Sequence, residues 1–271
     1  MKVSFSTKNL AFIAADIAVN SFMQAKTIDE VIAYLDQIIA QDTERSSKLA
    51  YFAILYRKVT VAVKEAIENK EFEDNARMEK LDVIFANRYL AAYTAFENGE
   101  KPSECWLVAF QAATWFWPIV LQHLLLGMNA HINLDLGIAA AEVAPGNKID
   151  GLKGDFYKIN IILSNMIDGV QEDINKINPV VRFLDKLAGK LDERLVDFSI
   201  KIARDGAWDF ALAYAAADAE QQKKLTEKRD ASIAWLGRDL RQPGVILGTI
   251  VKFMRLFQWA SVKRVIRVLS S

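Results

Sequence analysis

Apolar residues recur three and four positions apart along most of this chain, the spacing that lines one face of an α-helix. In TIDEVIAYLDQIIA, Ile32, Leu35, Ile38 and Ile39 keep that interval, and Thr27 with Glu30 stand where a capping box opens a helix. The pattern continues through SSKLAYFAILYRKVTVAVKEAIE (46–68). It resumes in RMEKLDVIFANRYLAAYTAFENG, which runs from Arg77 to Gly99, a residue type that commonly ends helices. Residues 104–126 are almost wholly apolar, and Pro118 is expected to kink that helix or divide it. APGNKIDGLKG (144–154) reads as a loop. Helical spacing returns over 155–175, about 179–218, 219–239 and 245–269. The alternation expected of strands is scarce. The pattern predicts an all-α fold: a single domain over 1–271, a multi-helix bundle of roughly eight to ten helices around the buried segment 104–143.

Composition narrows the function classes. Lys+Arg and Asp+Glu are both 34, so the chain carries no net charge. That argues against nucleic acid as a partner, because phosphate binding shows as a basic excess. Cys105 is the single cysteine, which leaves no internal disulfide and fits a reducing compartment. Asp16 and Asn20 interrupt the apolar residues near the start, so no signal peptide is read there. No uninterrupted apolar run reaches the length of a membrane span. A cytoplasmic location is the expectation.

The chemistry-bearing residues concentrate in HLLLGMNAHINLDL (123–136), which holds both histidines. At about 100° per residue on a helix, Gly127 lies about 40° from His123, His131 about 80° and Asp135 about 120°. These three polar residues then share a face, with Gly127 leaving space between the rings. Asn129 and Asn133 fall on another side. Every other position is apolar, as in a central helix surrounded by neighbours. Buried polar groups are costly unless hydrogen-bonded, so the set requires a reason: a polar network that ties helices together, or a site. An extended alternative also stands, because Met128 to Leu136 alternates apolar and polar without error.

Within this set His131 and Asp135 are one helical turn apart. A carboxylate there would fix the imidazole tautomer and suit His131 to act as a base. His123, His131 and Asp135 also form a conceivable set of ligands for a divalent metal, although the spacing matches no known metal motif and further carboxylates such as Glu65 or Asp82 would be needed. The cofactor expectation is none, or a divalent metal. Arg88 falls on the stripe of Leu81, Ile84 and Phe85, where it would either snorkel to the rim or pair with a buried carboxylate such as Asp135. Arg204 and Trp208 are one turn apart, which reads as a solvated guanidinium over a half-buried ring. Trp106, Phe110, Trp115, Phe116 and Trp117 read as core, or as the wall of an apolar pocket beside His123. Cys105 before this run reads as packing.

From Pro243 onward there are five basic residues and no acidic ones. Read as one helix over 245–269, the segment is amphipathic and basic: Lys252, Arg255, Lys263 and Arg267 share a third of the wheel, and Trp259 lies with the apolar remainder. Such a helix either closes the bundle or lies on an anionic membrane.

YFAILYRKVT (51–60), FEDNARMEKLDVIFANRYLAAY (72–93) and HLLLGMNAHINLDLGIA (123–139) resemble a bacterial family catalogued as a domain of unknown function, with a Gly-x-Asn-Ala-His-Ile-Asn core. The resemblance implies an α-helical domain over most of the chain and no assigned activity. Two expectations follow from the residues themselves. One is a binder of, or enzyme for, a small apolar molecule at His123, His131 and Asp135, with Asn129 and Asn133 orienting it. The other is a non-catalytic module that docks through its C-terminal helix. The first predicts a cavity at His131, and the second an exposed apolar face on 245–269.

Overall fold

A computed structural model describes residues 23–178, 180, 200–258 and 260–271. The reading of residues 1–22, most of the 179–199 stretch and Trp259 lie outside them. The described residues are helical throughout, without a strand. In order they form α1 (Ile28–Glu44), α2 (Ala50–Glu68), α3 (Asn75–Glu97), α4 (Glu104–Ala112), α5 (Val120–Val143), α6 (Lys153–Ile177), α7 (Ile200–Ala216), α8 (Ala219–Arg241), α9 (Val245–Phe257) and α10 (Val262–Leu269).

Local chemistry sets most boundaries. The Thr27 hydroxyl accepts from the Glu30 amide at 3.2 Å. Glu30 answers to Lys26 N (2.6 Å), so the expected capping box closes one residue early. Asp74 caps α3 by accepting from Arg77 N at 3.0 Å. Gly99 follows α3 at φ 74°, a backbone state that side chains disfavour. Pro118 divides rather than kinks: α4 ends at Ala112 and α5 starts at Val120. The Gln122 side chain accepts from Ile119 N at 3.0 Å, and Gln258 accepts from Val120 N at 3.1 Å. The stretch read as a loop at 144–154 contains a 3₁₀ run, Gly146–Leu152.

The helix expected over 245–269 is two helices, α9 and α10, whose axes differ by 94°. Two side chains account for the break. Gln258 is buried and spent on the start of α5, and the Ser261 hydroxyl caps α10 by accepting from Arg264 N. Lys252 and Arg255 therefore do not share a stripe with Lys263 and Arg267.

Helix α5 is the axis. It packs against α2, α3, α4, α7 and α8. By length and composition it could cross a bilayer, yet 94% of its apolar window is buried by the rest of the chain. Two glycines permit this enclosure. A Cβ at Gly127 would run into the ring of Phe52 from α2, and one at Gly137 would meet the Ala207 carbonyl of α7 at 2.8 Å. Close approach of this kind raises the packing density on which the core depends.

Candidate functional site

Within α5 the hydrogen-bonding register widens over His131–Leu136, a single π-helical turn between two α-helical lengths. Such turns are rare and often mark functional positions. Helix, not extended chain, is the form of residues 128–136. His131 and Asp135 remain one turn apart, with Nδ1 and Oδ2 separated by 3.1 Å.

Asp135 is a hub for three elements. Arg88 of α3 donates from Nε to Oδ1 at 2.9 Å. Trp106 of α4 donates from its indole N–H to Oδ2 at 2.8 Å. His131 approaches the same Oδ2 from within α5. The carboxyl is only 2% exposed. Burial pushes its pKa up, but Arg88, His131 and Trp106 together outweigh burial and hold it below the usual range. Asp135 is thus a buried carboxylate, compensated on both oxygens. Burial also pulls the His131 pKa down, against the opposing pull of Asp135. A neutral imidazole beside an ionised carboxylate carries its proton on Nδ1, which leaves Nε2 as an acceptor.

That Nε2 atom is buried and has no partner. The His131 side chain lines a half-open cavity of about 350 Å³ among α2, α3, α5 and α6, with Arg204 of α7 also in its lining. Phe52, Val59, Phe85, Met128, Ile159 and Leu163 supply much of its apolar lining. The His131 ring is stacked face to face on Phe85 (centroids 3.5 Å apart) and meets Tyr56 edge-on at 4.5 Å. Three further polar side chains of this wall also have an unpartnered buried atom: Tyr56 Oη, Asp82 Oδ2 and Arg204 Nε. The Tyr56 hydroxyl lies near Thr60 without a hydrogen bond of ordinary geometry. Burial, helped by Glu79, pushes the Asp82 carboxyl up to about 7, so near neutrality it is part acid, part carboxylate. Buried polar atoms are normally paired, yet four side chains of this one lining each keep a buried atom without a partner.

The remaining candidates are placed elsewhere. His123 is buried against Tyr51 (5.6 Å) and is not part of this cavity. Burial, followed by the nearby charges of Lys48 and Arg255, lowers its pKa to about 3. The space that Gly127 leaves between the two histidines is taken by the Phe52 ring. Asn129 donates to the Ile233 carbonyl at 3.0 Å and accepts from Asn133 at 3.1 Å, and Arg229 donates to the Asn133 carbonyl at 2.9 Å. Both asparagines therefore tie α5 to α8 and do not face the cavity. Arg88 takes the pairing option, not the rim. Among the described residues no group of three His, Cys, Asp or Glu side chains comes together to hold a metal. Glu65 is exposed.

The aromatic run splits. Trp106 and Phe110 are core, Trp115 is half-buried, and Phe116 and Trp117 are exposed. Cys105 is buried against the Ser103 hydroxyl, and burial pushes its thiol pKa up. Arg204 and Trp208 are both buried, and the guanidinium sits over the Phe156 ring rather than over Trp208. Asp82 was read only as a possible metal carboxylate and Trp106 as core or pocket wall, and Tyr56 carried no signal, because each reaches the site from a different helix.

A family model matches residues 28–243 and is described as a family of unknown function, DUF5995. No curated protein matches the chain, and no solved structure does.

Proposed function

From the premise that the chain belongs to this family of unknown function, which brings no activity with it, we propose that it binds a small, mainly apolar molecule in the cavity at His131. His131 Nε2 would accept a hydrogen bond or a proton from the bound molecule. Asp135 orients the ring and keeps its proton on Nδ1. Arg88 and Trp106 keep Asp135 ionised. The support for this reading is a cavity of about 350 Å³ lined by His131, whose Nδ1 is engaged and whose buried Nε2 has no partner. A volume of this size is within the ordinary range of small-molecule sites. The lowered pKa of His131 keeps it neutral and receptive at neutral pH, which suits an acceptor better than a cation.

The test uses N-phenylnaphthylamine, a neutral dye that fluoresces in apolar surroundings. It is expected to bind the full chain at one site with a Kd on the order of 1–10 μM. Val59→Trp, which fills the cavity from α2, is expected to weaken binding at least about tenfold with helical content unchanged. Unaltered dye binding in that variant would remove the cavity from consideration.

A second reading has its own observation. Val245 and Ile246 on α9 are 89% and 78% exposed, and Phe116 is 61% exposed. Arg255 sits 4.5 Å over the Phe116 ring and Lys252 5.7 Å over Trp117. Apolar side chains set among basic ones, with no acidic residue from 243 to 271, complement an anionic bilayer surface. Co-sedimentation with phosphatidylserine-containing vesicles is expected, and the double variant Val245→Asp/Ile246→Asp is expected to abolish it. Equal recovery with phosphatidylcholine vesicles, or no effect of the variant, would rule this reading out.

A further inference from the structure

Arg204 is 4% exposed and stands in the cavity wall. One of its terminal amino groups donates to the Phe156 carbonyl, and the guanidinium lies 4.5 Å over the Phe156 ring. Its Nε has no acceptor. The carboxylate of neighbouring Asp155 is already taken by Glu73 N, Asp74 N and Arg77, at 2.7, 3.0 and 3.1 Å. Tyr157 and Asp205 attract the Arg204 charge, but burial outweighs them and draws its pKa down to about 9, still a cation at neutral pH. A buried cation with an unpaired donor is costly unless an anion joins it.

We infer that the occupant of the cavity is an aliphatic carboxylate, its anionic head on the Arg204 guanidinium and its chain in the apolar space that His131 also borders. This rests on the ligand-binding reading above and adds the chemical class. Charge count selects the head group. Among the described residues of the lining, Arg204 is the one fixed cation, because His131 is neutral. One guanidinium balances a monoanion, and its planar N–H edge matches a carboxylate. A phosphate dianion would leave one charge uncompensated, and any ionised Asp82 in the same lining would repel it more strongly than a monoanion. The lining residues Phe52, Leu55, Val63, Leu163 and Val170 offer nothing polar to a chain, so an unbranched hydrocarbon suits them.

The experiment displaces bound N-phenylnaphthylamine from the full chain with decanoate, 1-decanol and decyl phosphate. Decanoate is expected to compete at about tenfold lower concentration than decanol, and better than decyl phosphate. Arg204→Met is expected to erase the preference for decanoate while leaving decanol unchanged, and Arg204→Lys to keep part of it. Equal competition by decanoate and decanol, or a preference that survives Arg204→Met, overturns the carboxylate assignment and leaves the cavity reading standing. Stronger competition by decyl phosphate replaces the carboxylate with a phosphate head. Absence of dye binding in the parent chain defeats both readings. Should Arg204→Met not fold, the decanoate, decanol and phosphate ranking in the parent chain decides, with Arg204→Lys as its check.

Discussion

Asp135→Ala is expected to destabilise the protein by about 4 kcal/mol, the order found when one partner of a buried ion pair is removed. The variant takes away the shared acceptor of Arg88, Trp106 and His131 at once. It leaves a part-buried guanidinium and a buried indole N–H without partners, and the desolvation already incurred is no longer offset. Urea unfolding followed by circular dichroism gives the measurement. Arg88→Met in the Asp135→Ala background is expected to recover about 1–2 kcal/mol, because the stranded charge leaves with its partner and neighbours couple non-additively. A loss under about 1 kcal/mol for Asp135→Ala would place the hub among ordinary surface interactions. The same variant is expected to lose dye binding in excess of its lost stability, because nothing then holds the His131 proton on Nδ1.

The second large effect belongs to Gly127→Ala. The added methyl would fall within the Phe52 ring and 3.0 Å from its Cβ. The obstruction reaches the root of the side chain, so Phe52 cannot simply swing its far end aside. Overpacking of this kind costs about 3 kcal/mol. Phe52 also touches His131 edge-on at 5.9 Å and lines the cavity. Thermal unfolding should therefore fall together with dye affinity, and Phe52→Ala in the Gly127→Ala background should restore much of the stability. A single variant within about 0.5 kcal/mol of the parent would show that α2 and α5 separate easily.

How much of this was legible in the chain differs by kind of feature. Helical spacing located α1, α2, α3 and α8 because each buries one stripe against the bundle, and burial of a stripe is what periodicity records. Segment 123–136 was singled out because polar residues in an apolar helix are rare. The His131–Asp135 contact could be read because both residues belong to one turn. The rest depended on partners distant in sequence. On a helical wheel His123 shares the face of His131, yet α2 inserts Phe52 between them and sends His123 to a separate core beside Tyr51. Asn129 and Asn133 have the composition of a binding site and the contacts of a fastening between α5 and α8. Arg204, read as a surface cation, is buried because its guanidinium turns onto Phe156 of α6, a contact that neither helix states alone. The break between α9 and α10 was hidden because Gln258 and Ser261 are unremarkable in a helix until the end of α5 claims the glutamine.

The burial of α5 also bears on how the chain comes to be made. Its two late covers, α7 and α8, follow it in the polypeptide beyond the whole of α6. During synthesis the oiliest helix must therefore emerge before those covers exist, and wait. Until then a segment long and apolar enough to cross a bilayer has only α2 through α4 to shelter one side of it.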